Sequence, residues 1–125
     1  MLDQSEVVYN INVIDINRAI EFYTNILGLK LEVRDEKGEW ASLKAKNCSM
    51  WLSKNGGNKG IVFLVKNVEK IATYLRSKKV KVYVPDNYKN KGNVNEYGLE
   101  TEYGKMIWFN DSEDNEIELF QMKMH

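Results

Sequence analysis

The sequence is poor in histidine, cysteine and proline, with one of each in 125 residues. The histidine is His125, the last residue given, where chains usually fray. A mechanism needing two histidines is therefore excluded within one chain. A Ser-His-Asp triad or a zinc site with histidine ligands would depend on that tail. Cys48 alone cannot form an intramolecular disulfide, so a reducing cytoplasm is the expected compartment. No histidine is available to activate it as a nucleophile, and it reads as a buried or turn cysteine. Neither charge sign is in excess. Eighteen basic residues balance eighteen acidic ones, which argues against nucleic acid or an anionic membrane as main partner. No apolar run reaches the roughly 18–20 residues of a membrane span, and Met1 to Glu6 do not resemble a basic-then-apolar signal. Asn55-Gly56-Gly57-Asn58 lacks the helix and lysine that follow a phosphate-binding glycine loop.

What is present fits one soluble α+β domain of two similar halves. The hydrophobic fraction is 43% and the charged fraction 29%, ordinary values for a globular chain. A chain of this length buries roughly two-thirds of its unfolded surface and needs no staple. Val7 to Ile14 is rich in β-branched residues and predicts a strand, with Asp15 placed as a helix N-cap. Ile16, Ala19, Ile20, Tyr23, Ile26 and Leu27 then form one apolar helical face, closed by Gly28. Strands follow at 29–34, 40–44 and 49–53. Asn55-Gly56-Gly57-Asn58 is the strongest linker signal, after which the pattern restarts. Gly60 to Val65 predicts a strand, Asn67 stands where Asp15 stood, and Val68, Ile71, Ala72 and Leu75 give a second helical face. Strands are expected at 80–84, 105–110 and 116–122, with 100–102 beginning or continuing one. Pro85 to Gly98 is a long polar segment, either a functional loop or a mobile one, whose Tyr88 and Tyr97 suit a lid. A shift of 52 residues overlays Val13 on Val65, Asp15 on Asn67, Ile16 on Val68 and Phe22 on Tyr74. Internal duplication is the expectation: a first module over 1–54, a linker over 55–59 and a second module over 60–125.

Two runs carry a resemblance. The first is Val13-Ile14-Asp15-Ile16-Asn17-Arg18-Ala19-Ile20-Glu21-Phe22-Tyr23-Thr24-Asn25-Ile26-Leu27-Gly28-Leu29, and the second is Phe109-Asn110-Asp111-Ser112-Glu113-Asp114-Asn115-Glu116-Ile117-Glu118-Leu119. Together they resemble the vicinal-oxygen-chelate superfamily, which includes glyoxalase I, extradiol dioxygenases and bleomycin-resistance proteins. The second run departs from the family's D-P-x-G-N-x-I-E-L ending, with Ser112 for the proline and Asp114 for the glycine. The resemblance implies two βαβββ modules forming one curved, incomplete barrel-like sheet, with the helices outside, and a homodimer. In metal-dependent members it also implies four cleft ligands, which fall here on Val8, Trp51, Gly60 and Glu118. Three of these offer no metal donor, since valine and glycine have none and indole only donates hydrogen bonds. One carboxylate does not make a transition-metal site. No metal and no other cofactor is expected.

The expected role is therefore metal-free binding of a small organic ligand, cationic or aromatic, with sequestration of a drug or metabolite as in bleomycin-resistance proteins. Trp51 is expected in the cleft. Trp40 and Trp108 fit either a cleft or a core under the helices. Asn10 shares a strand face with Val8, and Tyr103 is a further candidate. Glu118 is the one retained ligand position, read as a partner for a basic group, as a general base, or as an ordinary strand carboxylate. Residues 61–93 hold eight basic and two acidic side chains, and residues 94–120 eight acidic and one basic. An acidic, aromatic-bearing cleft attracts cations. Two alternatives stay open: a family enzyme (lyase, isomerase or transferase) using Glu118, with Tyr103, for acid–base chemistry, and a non-catalytic regulatory or interaction module.

Overall fold

A computed structural model describes residues 3, 8–54 and 56–123. His125 and the segment around Met1 to Glu6, apart from Asp3, lie outside the described residues. Chain contacts divide the protein into two compact units, residues 1–59 with 111–114, and residues 60–110 with 115–125. The α+β class holds. Among the described residues the strands hydrogen bond into a four-stranded and a six-stranded sheet rather than one continuous ladder.

The first unit runs β1 (Val8–Asn12), α1 (Ile16–Glu21), β2 (Lys30–Arg34), β3 (Trp40–Lys44) and β4 (Ser49–Ser53), in sheet order β1-β4-β3-β2. Asp15 caps α1 as the sequence predicts, its carboxylate accepting the Arg18 N–H at 3.0 Å. The predicted helix to Leu27 changes character after Glu21. Phe22–Ile26 widens into a π turn, in which the Leu27 N–H reaches the Phe22 carbonyl. Apolar periodicity does not distinguish the two windings. Alternation along the strands gives this sheet one dry face. Ile11, Ala41, Leu43, Met50 and Leu52 are buried on it and form a core with Ile16, Ala19, Ile20 and Tyr23. Each large aliphatic side chain buried there contributes on the order of 1.5–3 kcal/mol.

The segment expected as a linker is tied to β1. The Asn12 N–H donates to the Asn58 carbonyl at 2.9 Å, and the Asn58 N–H to the Asn10 carbonyl at 2.8 Å. Gly57, at φ 105°, lies so close to β1 that a Cβ would stand 2.8 Å from the Asn12 nitrogen.

The second unit runs β5 (Gly60–Leu64), α2 (Val68–Ser77), β6 (Val82–Tyr83), a 3₁₀ turn (Asp86–Lys91), β7 (Asn93–Asn95), β8 (Gly98–Thr101), β9 (Gly104–Asn110) and β10 (Glu116–Met122). Its sheet order is β5-β10-β9-β8-β7, with β6 also on β9. Asn67 caps α2 by accepting the Lys70 N–H at 3.0 Å, the same device as Asp15. The polar segment 85–98 is not one long loop: it holds the 3₁₀ turn and the exposed edge strand β7. Asn93-Val94-Asn95 has weak strand propensity, so pairing with β8, rather than local preference, makes it a strand. Ile107, Phe109, Ile117 and Leu119 are buried on the sheet face that meets α2. The opposite face carries a second apolar cluster of Val84, Leu99, Met106 and Trp108, with Tyr83, Tyr88 and Phe120 against it.

The two units repeat one pairing. β1 runs parallel to β4 with Val8 opposite Ser49 and Asn10 opposite Trp51. β5 runs parallel to β10 with Gly60 opposite Glu116 and Val62 opposite Glu118. No helix among the described residues is long and apolar enough to cross a membrane.

Candidate functional site

On the face of the first sheet away from α1, alternation presents Asn10 beside Trp51, Trp51 beside Ser42, and Ser53 beside Trp40. Three residues expected at the site from sequence, Asn10, Trp40 and Trp51, thus converge. They line a pocket of about 420 Å³ with Glu39, Ser53 and Gly56. The two indole rings stand 6.4 Å apart, tilted by 35°, and the residues are 40% and 46% exposed. Beside them, the Ser53 hydroxyl donates to Asn10 Oδ1 at 2.7 Å. That bond fixes the Asn10 carboxamide and leaves its Nδ2 as the donor side of the group. The arrangement offers two ring faces and a polar border with one carboxylate, Glu39. Glu39 was not among the expected site residues. Its place in the β2–β3 turn, next to Trp40, was the available signal.

Trp108 takes the other course open to it. It is 2% exposed, and its ring lies 5.0 Å from that of Tyr88 inside the second unit's cluster, so it presents no face to a ligand. Its neighbours decide this: Tyr83, Met106 and Leu99 share its sheet face and close over it. What Trp108 offers is its indole N–H, which hydrogen bonds to Glu118 on the adjacent strand. Glu118 is half-buried. Burial raises its carboxyl above the ordinary carboxylate range, nearby Glu116 raises it further, and the Trp108 bond opposes both. Glu116 in turn accepts the Tyr83 O–H at 3.2 Å, and Tyr83 also donates to Asn110. Glu118 therefore belongs to a small polar group on an otherwise apolar face.

Tyr103 lies elsewhere, in the β8–β9 turn, lining a different pocket that does not include Glu118. The structure does not bring the two together as an acid–base pair. Nor do the four ligand positions that the resemblance implies fit a metal. Val8, Trp51 and Gly60 supply no donor atom, leaving one carboxylate. Among the described residues no three or more histidine, cysteine, aspartate or glutamate side chains gather where they could hold an ion.

The two signature runs meet in the first unit for a structural purpose. The Tyr23 phenol, fully buried, donates to Asp111 Oδ2 at 2.6 Å. Asp111 Oδ1 accepts the Glu113 N–H at 2.8 Å. Glu113 then receives the N–H groups of Ile14 and Asp15 and, at 2.6 Å, the Arg18 guanidinium. Burial pushes the Glu113 carboxyl up, but those three donors outweigh it and hold it below its usual value. Asp114, where the family pattern has glycine, sits at φ 62°.

A family model described as Glyoxalase/Bleomycin resistance protein/Dioxygenase superfamily matches residues 6–119. No curated protein matches the chain in sequence. Among solved structures, TnmS3, an antibiotic binding protein from Streptomyces sp. CB03234, is similar with a TM-score of 0.74 at 20% identity, over 98% of this chain and 99% of that one. A lactoylglutathione lyase from Agrobacterium tumefaciens gives 0.70 at 13% identity, over 94% and 93%. TioX from Micromonospora sp. ML1 gives 0.72 at 14%, over 95% and 99%. At these identities the likeness is one of fold.

Proposed function

The chain belongs to the glyoxalase/bleomycin resistance protein/dioxygenase superfamily, and from that premise we propose that it binds a small organic molecule without a metal, sequestering a drug or metabolite. The observation that carries this reading is the convergence of Trp40, Trp51 and Asn10 at one pocket, bordered by Glu39. Two adjacent half-exposed indoles are an uncommon feature for a solvated face. They suit a flat aromatic ring, and the Glu39 carboxylate favours a cationic one. The likeness to an antibiotic binding protein supports the same class of role. We read the protein as a cytoplasmic homodimer. The family resemblance and the exposed Val62 and Leu64 of β5 support the dimer, and the single cysteine supports the compartment.

The test is calorimetric titration with a planar aromatic cation such as proflavine, on the wild-type chain and on Trp40→Ala and Trp51→Ala. Stacking contributes on the order of 1 kcal/mol per ring, so each variant should bind about fivefold more weakly. Unchanged affinity in both variants overturns the assignment. One equivalent of zinc, nickel or iron in protein purified without chelators overturns the metal-free reading.

A second reading rests on Glu118. A carboxylate whose proton affinity is raised by burial beside a second carboxylate is a stronger base than an ordinary one. It would make the protein an acid–base enzyme of the same fold. A Glu118→Gln variant that keeps full turnover of any identified substrate removes it.

A further inference from the structure

β1 is an edge strand of its sheet, so its outward N–H and C=O groups need partners. Residues 56–58 supply them as a short strap. Ile11 pairs with Asn58 in a parallel bridge. The Asn12 N–H donates to the Asn58 carbonyl at 2.9 Å, and the Asn10 carbonyl accepts the Asn58 N–H at 2.8 Å and its Nδ2 at 3.1 Å. The Asn12 side chain adds a bond from Nδ2 to the Gly56 carbonyl at 3.1 Å.

The same strap reaches the Trp40–Trp51 pocket, which both Gly56 and Asn10 line. Asn10 is the shared residue. Its backbone carbonyl holds the strap, while its carboxamide, fixed by the Ser53 hydroxyl, borders the pocket. Taking the Trp40–Trp51 pocket as the ligand site, we propose that strap docking and ligand binding are one coupled equilibrium, in which Gly57 and Asn12 act as positioning residues from outside the pocket.

Local energetics give the strap two states. Gly57 and Asn58 are exposed, and a few hydrogen bonds hold them, which is the character of segments that open locally. Two adjacent glycines raise the entropy of the released strap, so docking has more disorder to overcome. Gly57 is nevertheless required in the docked state. At φ 105° it lies so near β1 that a Cβ would stand 2.8 Å from both the Asn12 nitrogen and the Ile11 carbonyl carbon. Release withdraws the Gly56 wall and takes two donors from the Asn10 carbonyl. A ligand that fills the pocket therefore binds the docked state more tightly, and by linkage it holds the strap down by the same factor.

The experiment combines calorimetric titration of proflavine with amide hydrogen exchange by NMR on the full chain. In the wild type, saturating proflavine should slow exchange of the Asn12 and Asn58 amides by about fivefold or more. The Ala45 amide, bonded to the Cys48 carbonyl in the β3–β4 turn, should change by less than about twofold. Gly57→Ala should weaken proflavine by the factor seen in exchange, to within about twofold, with Ala45 still protected. Asn12→Ala, which loses one bond to the strap, should speed Asn58 exchange about fivefold. Three results overturn the coupling: equal slowing at Asn12, Asn58 and Ala45, wild-type affinity in Gly57→Ala, or unchanged Asn58 exchange in Asn12→Ala. If Gly57→Ala does not fold, the wild-type and Asn12→Ala measurements decide. No proflavine binding to the wild-type chain overturns the Trp40–Trp51 reading and the coupling with it, whereas binding without an effect on the strap overturns the coupling alone.

Discussion

Replacing Tyr23 by phenylalanine removes one oxygen from the middle of the first unit and little else. The ring stays in its buried place, and the packing volume hardly changes. What is lost is the 2.6 Å hydrogen bond to Asp111, itself only 6% exposed. A hydrogen bond to a charged group is worth about 1.5–3 kcal/mol, and the carboxylate oxygen left behind cannot regain water easily. The variant should therefore be less stable by about 2–3 kcal/mol at pH 7. For a domain of this size that lowers Tm by roughly 3–5 °C per kcal/mol. Alkali supplies an independent check. Burial, and then the Asp111 charge, push the folded-state Tyr23 phenol far above its ordinary value, while the unfolded chain ionises near 10. A raised folded-state value means the stabilisation is complete below pH 10 and is lost as pH climbs above it. The loss is about 1.4 kcal/mol per pH unit per group, so about 2 kcal/mol has gone by pH 11.5. Urea unfolding of both proteins at pH 7 and pH 11.5 measures this directly. A gap of 2–3 kcal/mol should shrink below about 1 kcal/mol. A gap under 0.5 kcal/mol at pH 7, or one that does not change with pH, refutes the reasoning.

Three further outcomes follow from the same geometry. Glu113→Gln should lose about 1–2 kcal/mol at pH 7, since its side chain is fully enclosed and holds three donors. Because the folded carboxyl is held low, the difference is present above about pH 4.5 and fades below it, as denaturation followed from pH 7 to pH 3 will show. Glu118→Gln should do the reverse. A raised carboxyl is penalised when charged, so the variant gains stability at pH 7, and the gain disappears once both states are protonated at low pH. Gly98→Ala should prevent folding, read as loss of soluble protein and of the cooperative unfolding transition. The residue has φ 118°, and its Cβ would stand 2.1 Å from the Met106 carbonyl oxygen.

Local chemistry made much of the fold legible. Asp15 and Asn67 cap helices because a short oxygen-bearing side chain suits that position wherever it occurs. The strand–helix–strand order followed from periods of two and 3.6. Features that escaped are those with no local signature. The edge strand β7 exists through its pairing with β8. The π turn shares its apolar spacing with an ordinary helix. Met106, Phe120 and Met122 share one sheet face through cross-strand register, and no short sequence window contains them all.

The tryptophans draw the line between the two kinds of information. By itself the sequence determined that three indoles lie on strands, and that a mechanism needing two histidines does not fit one chain whose only histidine is His125. Both conclusions depend on residue type and period alone. Only the tertiary structure decided that Trp108 is enclosed by Tyr88, Leu99 and Met106 while Trp40 and Trp51 stand half-open beside Asn10. The alternation of a strand says which side chains share a face. Whether that face is covered depends on what distant segments bring against it, and those contacts are set by the packing of the whole unit.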